Sequence, residues 1–451
     1  MKIRGDFLSV KVGFLSLGCN KNLCDTENMM GILAEEGFEI TVNPEEAEVV
    51  VINTCAFIED AKQESIDAII EMAQLKEACC RLLVVCGCLA QRYATEIEKE
   101  LPEVDVIVGT TAFEKIAEAI REGLSGKKVR KLESIDKEVS ENLPRIRTTP
   151  QYTAYIKIAE GCDNRCTYCA IPYIRGKYRS RWMEDILSEA KALVRDGVRE
   201  IIVVAQDTTR YGVDIYGEKK LSELLRKLCE IEGLEWVRVH YLYPEELDDS
   251  IIEVIASEEK IVKYLDIPIQ HGSDTVLKRM GRKTTRGAIE KLIEKLRKDI
   301  PDVTLRTSII VGFPGETEEE FSELCEFLEK IRIDRVGVFA YSCEEDTPAA
   351  KLGNQLDEEV KEQRRAVVME LSQKISLERN EAMLGKTVKV LTEGFEDNLY
   401  YGRSGGESIE IDPKIYFGAH RELSPGEFLY VTLKSADIYD LYGEEEGKDE
   451  F

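Results

Sequence analysis

The chain has 451 residues, 43% of them hydrophobic and 33% charged, with a formal net charge of −26. That length predicts two to four domains with buried cores, and the composition is that of an ordinary globular protein. No run of eighteen apolar residues occurs, so no membrane span is expected. Gly5 and Asp6 break any early apolar stretch, so no signal peptide is expected either. The thirteen cysteines then read as ligands or core residues of a cytoplasmic protein rather than as disulfides. The acidity disfavours a nucleic-acid partner and favours a cationic one, although a solvated surface would carry the same charge.

Within residues 1–130, apolar runs alternate with helical stretches, which predicts a parallel α/β sheet covered on both faces. Val12–Leu17 leads to Cys19, Val49–Thr54 leads to Cys55, and Leu82–Gly87 leads to Cys88. Helices are expected around 25–36, 59–76 and 90–100. Strand ends of a parallel sheet share one edge, where ligand sites form. Three thiols should therefore meet there, enough for three irons of a 4Fe–4S cube with the fourth left open. Cys86 competes with Cys88 for the third place; Cys88 is preferred because it opens the loop, whereas Cys86 belongs to the strand body. Cys24, Cys79, Cys80, Cys229, Cys325 and Cys343 read as core or helix-surface thiols.

Residues 131–150 form a polar linker with Pro144 and Pro150. In 151–383, Tyr155–Ala159 leads into Cys162, Cys166 and Cys169, a CxxxCxxC cluster that again supplies three ligands to a cube. A zinc knot is the alternative, but no fourth Cys or His lies near Cys169. Further strands are expected at 201–205, 236–241, 264–267, 304–311 and 336–341, separated by helices. Six such units make an open (βα)6 barrel with its chemistry at the C-terminal strand ends. Gln206, Gln270, His271 and Ser273 stand at those ends as candidate cofactor contacts, although His271 equally suits a hydrogen-bonded loop histidine. Thr317 and Glu320 form a capping box for the next helix.

A long charged helix is expected over 356–383. In 384–445, short alternating stretches at 388–391, 399–402, 409–411 and 428–433 predict a small antiparallel β-barrel. Between 386 and 445 stand six Lys or Arg against twelve Asp or Glu, a net −6, which argues against direct nucleic-acid binding. The tail, 446–451, is polar and expected to be disordered.

The CxxxCxxC loop resembles that of the radical S-adenosylmethionine superfamily. The order of domains resembles the methylthiotransferases within it, and the terminal barrel is similar to the TRAM domain. Ser16-Leu-Gly-Cys-Asn-Lys-Asn22, Asn53-Thr-Cys55, Gly87-Cys-Leu-Ala-Gln91, Gly161–Cys169 with Arg175-Gly176 and Ser180-Arg181, and Val311-Gly-Phe-Pro-Gly-Glu316 carry that likeness. Arg306–Glu316 looks like the GxIxGxxE region that lies against the adenosyl group, with Thr307 in place of a Gly. The resemblance thereby adds Arg306, Gly312 and Glu316 to the expected cofactor contacts. Within the family, Lys21-Asn22, Ala61–Ser65 and Ala205–Gly212 look like the branch that methylthiolates an aspartate of the twelfth protein of the small ribosomal subunit. Asn20 departs from that branch, which commonly has Pro there.

That resemblance implies two 4Fe–4S clusters and two molecules of S-adenosylmethionine, one as methyl donor and one as radical source. Cys162, Cys166 and Cys169 would hold the cluster that reduces the cofactor. Cys19, Cys55 and Cys88 would hold the auxiliary cluster that carries the sulfur. Partners are a basic ribosomal protein, free or in the ribosome, and a low-potential electron donor. A methylthiotransferase acting on transfer RNA, a non-catalytic zinc-bound scaffold and a simple electron carrier are the rival readings.

Overall fold

Continuous apolar strands demand cover on both faces, and the N-terminal third supplies it. The computed structural model describes residues 10–446; Gly5, Asp6 and the tail beyond Glu446 lie outside the described residues. The strands are β1 (Lys11–Ser16), β2 (Glu39–Thr41), β3 (Val49–Thr54), β4 (Leu82–Gly87), β5 (Val106–Val108) and β6 (Val129–Lys131). They form one parallel sheet in the order β2-β1-β3-β4-β5-β6. Side-chain alternation splits the core in two: Val50, Ile52, Leu83 and Val85 pack on one face, and Val49, Val51, Leu82 and Val84 on the other. β6 lies at the edge of the stretch read as linker, and it adds a strand that the charged sequence Val-Arg-Lys did not announce.

The helices α1 (Asn20–Glu35), α2 (Glu59–Ala73) and α3 (Cys88–Arg92) follow β1, β3 and β4. α1 begins about a turn and a half earlier than its apolar periodicity predicts. The chain turns at Gly18, which has φ +84, and Cys19 is already the N-cap. The sheet order reverses between β1 and β3, and a crevice for ligands opens at such a reversal.

The central domain contains β7 (Thr153–Lys157), a short hairpin of β8 (Ala159–Glu160) with β9 (Arg179–Ser180), β10 (Glu200–Val204), β11 (Trp236–Val239), β12 (Ile261–Asp266), β13 (Thr304–Val311) and β14 (Arg335–Ala340). β7-β10-β11-β12-β13-β14 form a parallel six-stranded sheet whose outer strands are not paired, the open barrel expected. Helices at Met183–Arg195, Leu221–Cys229, Asp249–Ser257, Arg286–Asp299 and Glu318–Ile331 separate the strands, the last with the capping box of Thr317 and Glu320 in place. Ile201, Val203, Val237, Val239 and Leu265 face these helices. The opposite faces carry Tyr155, Ile202, Arg238, Tyr264 and Arg306, then Lys157, His240 and Asp266 nearer the mouth. The lumen is therefore polar toward its C-terminal end.

The long helix spans Glu358–Glu381. After it, β15 (Thr387–Glu396), β16 (Leu399–Ser404), β17 (Ile415–Gly418), β18 (Phe428–Ala436) and β19 (Leu441–Glu445) close into a barrel in the order β15-β16-β17-β19-β18. Its contacts are antiparallel apart from β17 with β19, which run parallel. Ile409–Ile411, read as a strand from its alternation, is a turn. Ile409 is apolar because it enters the lumen of the central barrel against Tyr155, Ile202 and Val204. Around it, Arg238 donates to the carbonyls of Gly405 and Ser404, and Ser408 Oγ lies 2.9 Å from His240 Nε2. The terminal barrel thus fills the lumen with one of its loops, which reaches up to His240 and Val204.

Glu200 is the electrostatic keystone of that junction, accepting from Arg238 at 3.0 Å and from Arg403 of the terminal barrel at 2.7 Å, with none of the three more than 2% exposed. Burial would raise its carboxyl, but Arg403 and then Arg238 reverse that and hold it at about 2. The docking energy carried by this group is complete above the unfolded carboxylate value of about 4.3 and is lost as pH falls through about 2. Glu200→Ala should cost about 3–5 kcal/mol by leaving Arg238 buried without a counter-charge and Arg403 with Glu393 alone. Trp236 packs edge-on to Phe428 of β18 at 4.7 Å, so its fluorescence in a Trp182→Phe background reports undocking.

Candidate active site

Two sets of strand ends face each other across the junction of the first two domains. On one side, Cys19 caps α1, Cys55 follows β3 and Cys88 begins α3. Gly18 shows how close these segments come: a Cβ there would lie 2.7 Å from Cys55 Cβ and 2.9 Å from its sulfur. Only glycine permits this approach at a positive φ. Ser65 of α2 fixes Cys55 by accepting from its N–H and donating to its carbonyl, both at 3.0 Å. Cys55 feels the charges of Cys88 and Cys19, and burial first, then Cys88, pushes its thiol up to about 12. Cys86 is fully buried within β4, its sulfur 3.5 Å from the Ile52 carbonyl, as expected of a packing residue.

On the other side, the loop between β8 and β9 carries Cys162, Cys166 and Cys169. Gly161 has φ +76, and a Cβ there would strike the Lys177 carbonyl at 2.1 Å, so the loop is pinched at its base. Cys162 N–H donates to the Gly176 carbonyl at 3.1 Å, and Thr167 N–H to that of Met280 at 2.9 Å. Cys166 sulfur lies 2.6 Å from the Tyr243 hydroxyl, and Asn164 donates to Asp207 at 2.7 Å. Burial raises the Cys162 thiol to about 12 and raises Cys169 further, with Cys166 contributing to both.

Buried thiols of this kind ionise only against a cation, which a metal supplies. Among the described residues no three His, Cys, Asp or Glu side chains converge tightly enough to chelate one ion. A structural zinc takes four protein ligands, whereas a trio of thiols suits a 4Fe–4S cluster with one open iron.

Arg175 joins the two sides. Its guanidinium donates to Asn22 Oδ1 at 2.8 Å, to Asp25 at 2.7 Å and to Glu160 at 3.1 Å, and lies 3.5 Å from Cys88 sulfur. Lys157, at the top of β7, pairs with Asp25 and with Glu160, the latter at 2.7 Å. Burial works against ionising Glu160, but Arg175 and then Lys157 hold its carboxyl well below the usual range. Asn22 also donates to the carbonyls of Leu17 and Thr54, which fixes the loops bearing Cys19 and Cys55. Arg175 stood within a quoted motif but had no assigned role, and Glu160 stood just before the CxxxCxxC loop without one. Asp25 and Lys157 carried no sequence signal, because only the docking of α1 on the barrel brings them together.

Gln206 donates to Glu160 at 2.8 Å and keeps a buried Oε1 without a partner. His271 is fully buried; its Nδ1 accepts from Ser273 N–H at 3.0 Å, and its Nε2 lies 3.6 Å from Glu316. That histidine therefore also serves as a loop-bonded residue. Ser273 pairs with Thr275. Gln270 has φ +75 and continues the sheet through its backbone bonds to Ser308 and Ile310. Gly312, with φ +73, sits where a Cβ would strike Lys361 at 2.4 Å. Glu316 accepts from Arg364 of the long helix at 2.8 Å and from Phe313 N–H at 3.1 Å. Arg306 lies deeper, paired with Asp266 at 2.8 Å and 3.9 Å from Asp412 of the terminal-barrel loop. The unpartnered buried atoms of Gln206, His271 and Arg282 are ones that a polar ligand at the mouth would satisfy.

The fold and the paired thiol sites define a radical S-adenosylmethionine type of protein with an added cysteine-bearing domain. Residues 156–328 match the Radical SAM superfamily, 11–109 match "Uncharacterized protein family UPF0004" and 384–445 match the TRAM domain. Among solved structures, the chain is similar to the radical S-adenosylmethionine methyltransferase TsrM from Kitasatospora setae, with a TM-score of 0.54 and 14% identity over 83% of this chain and 76% of that one. At that identity the likeness concerns the fold. Curated relatives are far nearer. The chain is 52% identical to the ribosomal protein uS12 methylthiotransferase RimO of Lachnoclostridium phytofermentans, over 96% of this chain and 99% of that protein. It is also 52% identical to the one from Acetivibrio thermocellus, over 96% and 98%. The chain belongs to the RimO family.

Replacing Arg175 by Met should strand Asp25 and Glu160 with Lys157 as their one shared cation. We expect about 3–5 kcal/mol of lost domain docking, read as faster hydrogen exchange in α1 and faster proteolysis of the 132–150 segment. Arg175→Lys should recover part of it.

Proposed function

We propose that this chain methylthiolates the β-carbon of an aspartate in ribosomal protein uS12. The observation that carries the reading is the meeting of two incomplete thiol trios across one buried arginine, in a chain of the RimO family. Each trio supplies three ligands to a 4Fe–4S cluster and leaves one iron open. Cys162, Cys166 and Cys169 hold the cluster that serves S-adenosylmethionine, and Cys19, Cys55 and Cys88 hold the auxiliary one. When bound, these groups supply a methyl group, sulfur and a carbon radical.

Such help is needed because the hydrogen to be replaced lies beside a carboxylate. No side-chain base removes it as a proton at neutral pH, and a radical avoids that separation of charge. The protein's part is to hold and orient. The Gly161 pinch presents one trio at the barrel mouth, the Gly18 approach gathers the other, and Arg175 sets their relation. Gln206, Gln270, His271, Ser273, Gly312 and Glu316 surround the mouth as cofactor contacts. Arg306 is better placed to shape the lumen beneath.

The net charge of −26 supports a cationic ribosomal protein as substrate, and the net −6 of the terminal barrel argues against gripping RNA. A low-potential electron donor completes the system. Among the described residues no helix is long and apolar enough to cross a membrane, and we place the enzyme in the cytoplasm, where its substrate is made.

Anaerobically reconstituted protein should carry about eight irons per chain, and replacing all three CxxxCxxC cysteines by Ala should leave about four. Equal loss of both clusters would sink the two-site reading. With S-adenosylmethionine and a reductant, uS12 should gain one methylthio group by mass spectrometry while transfer RNA gains none. The reverse result would assign the chain to the transfer-RNA reaction.

A further inference from the structure

Lys21 is the second residue of α1, two positions after Cys19, yet its side chain extends into the central barrel. It is 8% exposed, and its ammonium sits 3.5 Å from the centroid of the Tyr241 ring, just past the end of β11. Cys19 and Asp266 are its other titratable neighbours. Among the described residues no salt bridge takes up this ammonium. The facing carboxylate, Asp266, is already engaged by Arg306 at 2.8 Å and by Tyr241 N–H at 3.4 Å.

Other buried cations near the mouth are treated differently. Lys157 and Arg175 share Asp25 and Glu160, and Arg282 has Glu245. A buried ammonium held by one tyrosine and no salt-bridging carboxylate is costly, since those contacts offset only part of its lost hydration. Tyr241, which supplies that face, is held at φ +61, a conformation that aromatic residues rarely adopt and that marks functional sites.

We propose that Lys21 anchors the carboxylate of the substrate aspartate and so selects an acidic side chain for the reaction. This rests on the functional reading above and deepens it. The ammonium lies near Cys19 of the auxiliary trio and against Tyr241, just past the C-terminal end of β11. A carboxylate bound there brings the adjoining β-carbon into the space between the two sites. The anchored group is one bond from the carbon that reacts, so a single charge-assisted contact fixes both identity and position. An asparagine has the shape and an accepting oxygen but not the charge, and leaves the ammonium without a counter-ion.

The test compares wild-type holoenzyme with Lys21→Met and Lys21→Arg, reconstituted anaerobically. The probes are two labelled uS12 peptides, one with the target aspartate and one with asparagine in its place. Fluorescence anisotropy should show wild type preferring the aspartate peptide, and Lys21→Met binding it about 10- to 100-fold more weakly with the preference erased. Activity on uS12 should fall mainly through KM. Iron content and the cluster electron paramagnetic resonance signals should stay at wild-type levels. Lys21→Arg keeps the charge and must keep the preference; it decides the matter if the methionine variant does not fold. Undiminished binding by Lys21→Met, a retained preference, or loss of iron from it overturns the proposal. A wild-type enzyme that leaves uS12 unmodified would instead sink the functional reading itself.

Discussion

Two acids and two bases, buried where α1 meets the barrel, hold the architecture in register. Asp25 of α1, Lys157 and Glu160 of the β7–β8 stretch, and Arg175 before β9 come from three separate places in the chain and balance one another's charge. An apolar seam would join the domains as firmly, but it would tolerate sliding. Charges this deep do not, because a shift that separates any pair exposes an uncompensated ion to a low-dielectric interior. Cys88 lies against one member of the set and Glu160 stands two residues before Cys162. The spacing between the thiol trios is therefore a consequence of the ion cluster.

The arrangement extends a rule of parallel sheets. Each such sheet offers one ligand edge, at the carboxyl ends of its strands. Here two sheets from different domains present those edges to each other, so loops from both enclose a common space. Neither domain needs an elaborate site of its own. Two short cysteine-bearing turns are enough once the domains are locked face to face.

Much of this was legible from residue order. Runs such as Val49–Thr54 and Leu82–Gly87 announced buried strands, and the cysteines after them announced a shared edge, because strand direction converts sequence position into place. The six barrel strands, their intervening helices and the Thr317 capping box followed from local pattern alone. What stayed hidden was tertiary. Asp25 looks like any acid on a helix until Arg175 is found beside it. Lys21 stood within a family motif with no role attached to it. Ile409 misled for the same reason, since its apolar character answers to another domain's lumen and not to its own barrel. Val129–Lys131 joined a sheet edge with too little hydrophobicity to be noticed.

The loop carrying Ser408 and Ile409 gives the central barrel its floor. An open six-stranded barrel would otherwise let water rise from below toward the reacting carbon. The seal is made by a loop of the terminal barrel, so that module also acts as a stopper. Evolutionary exchange of this module would thus be constrained from inside: a replacement must bring a loop of the right depth, or the chamber above it floods.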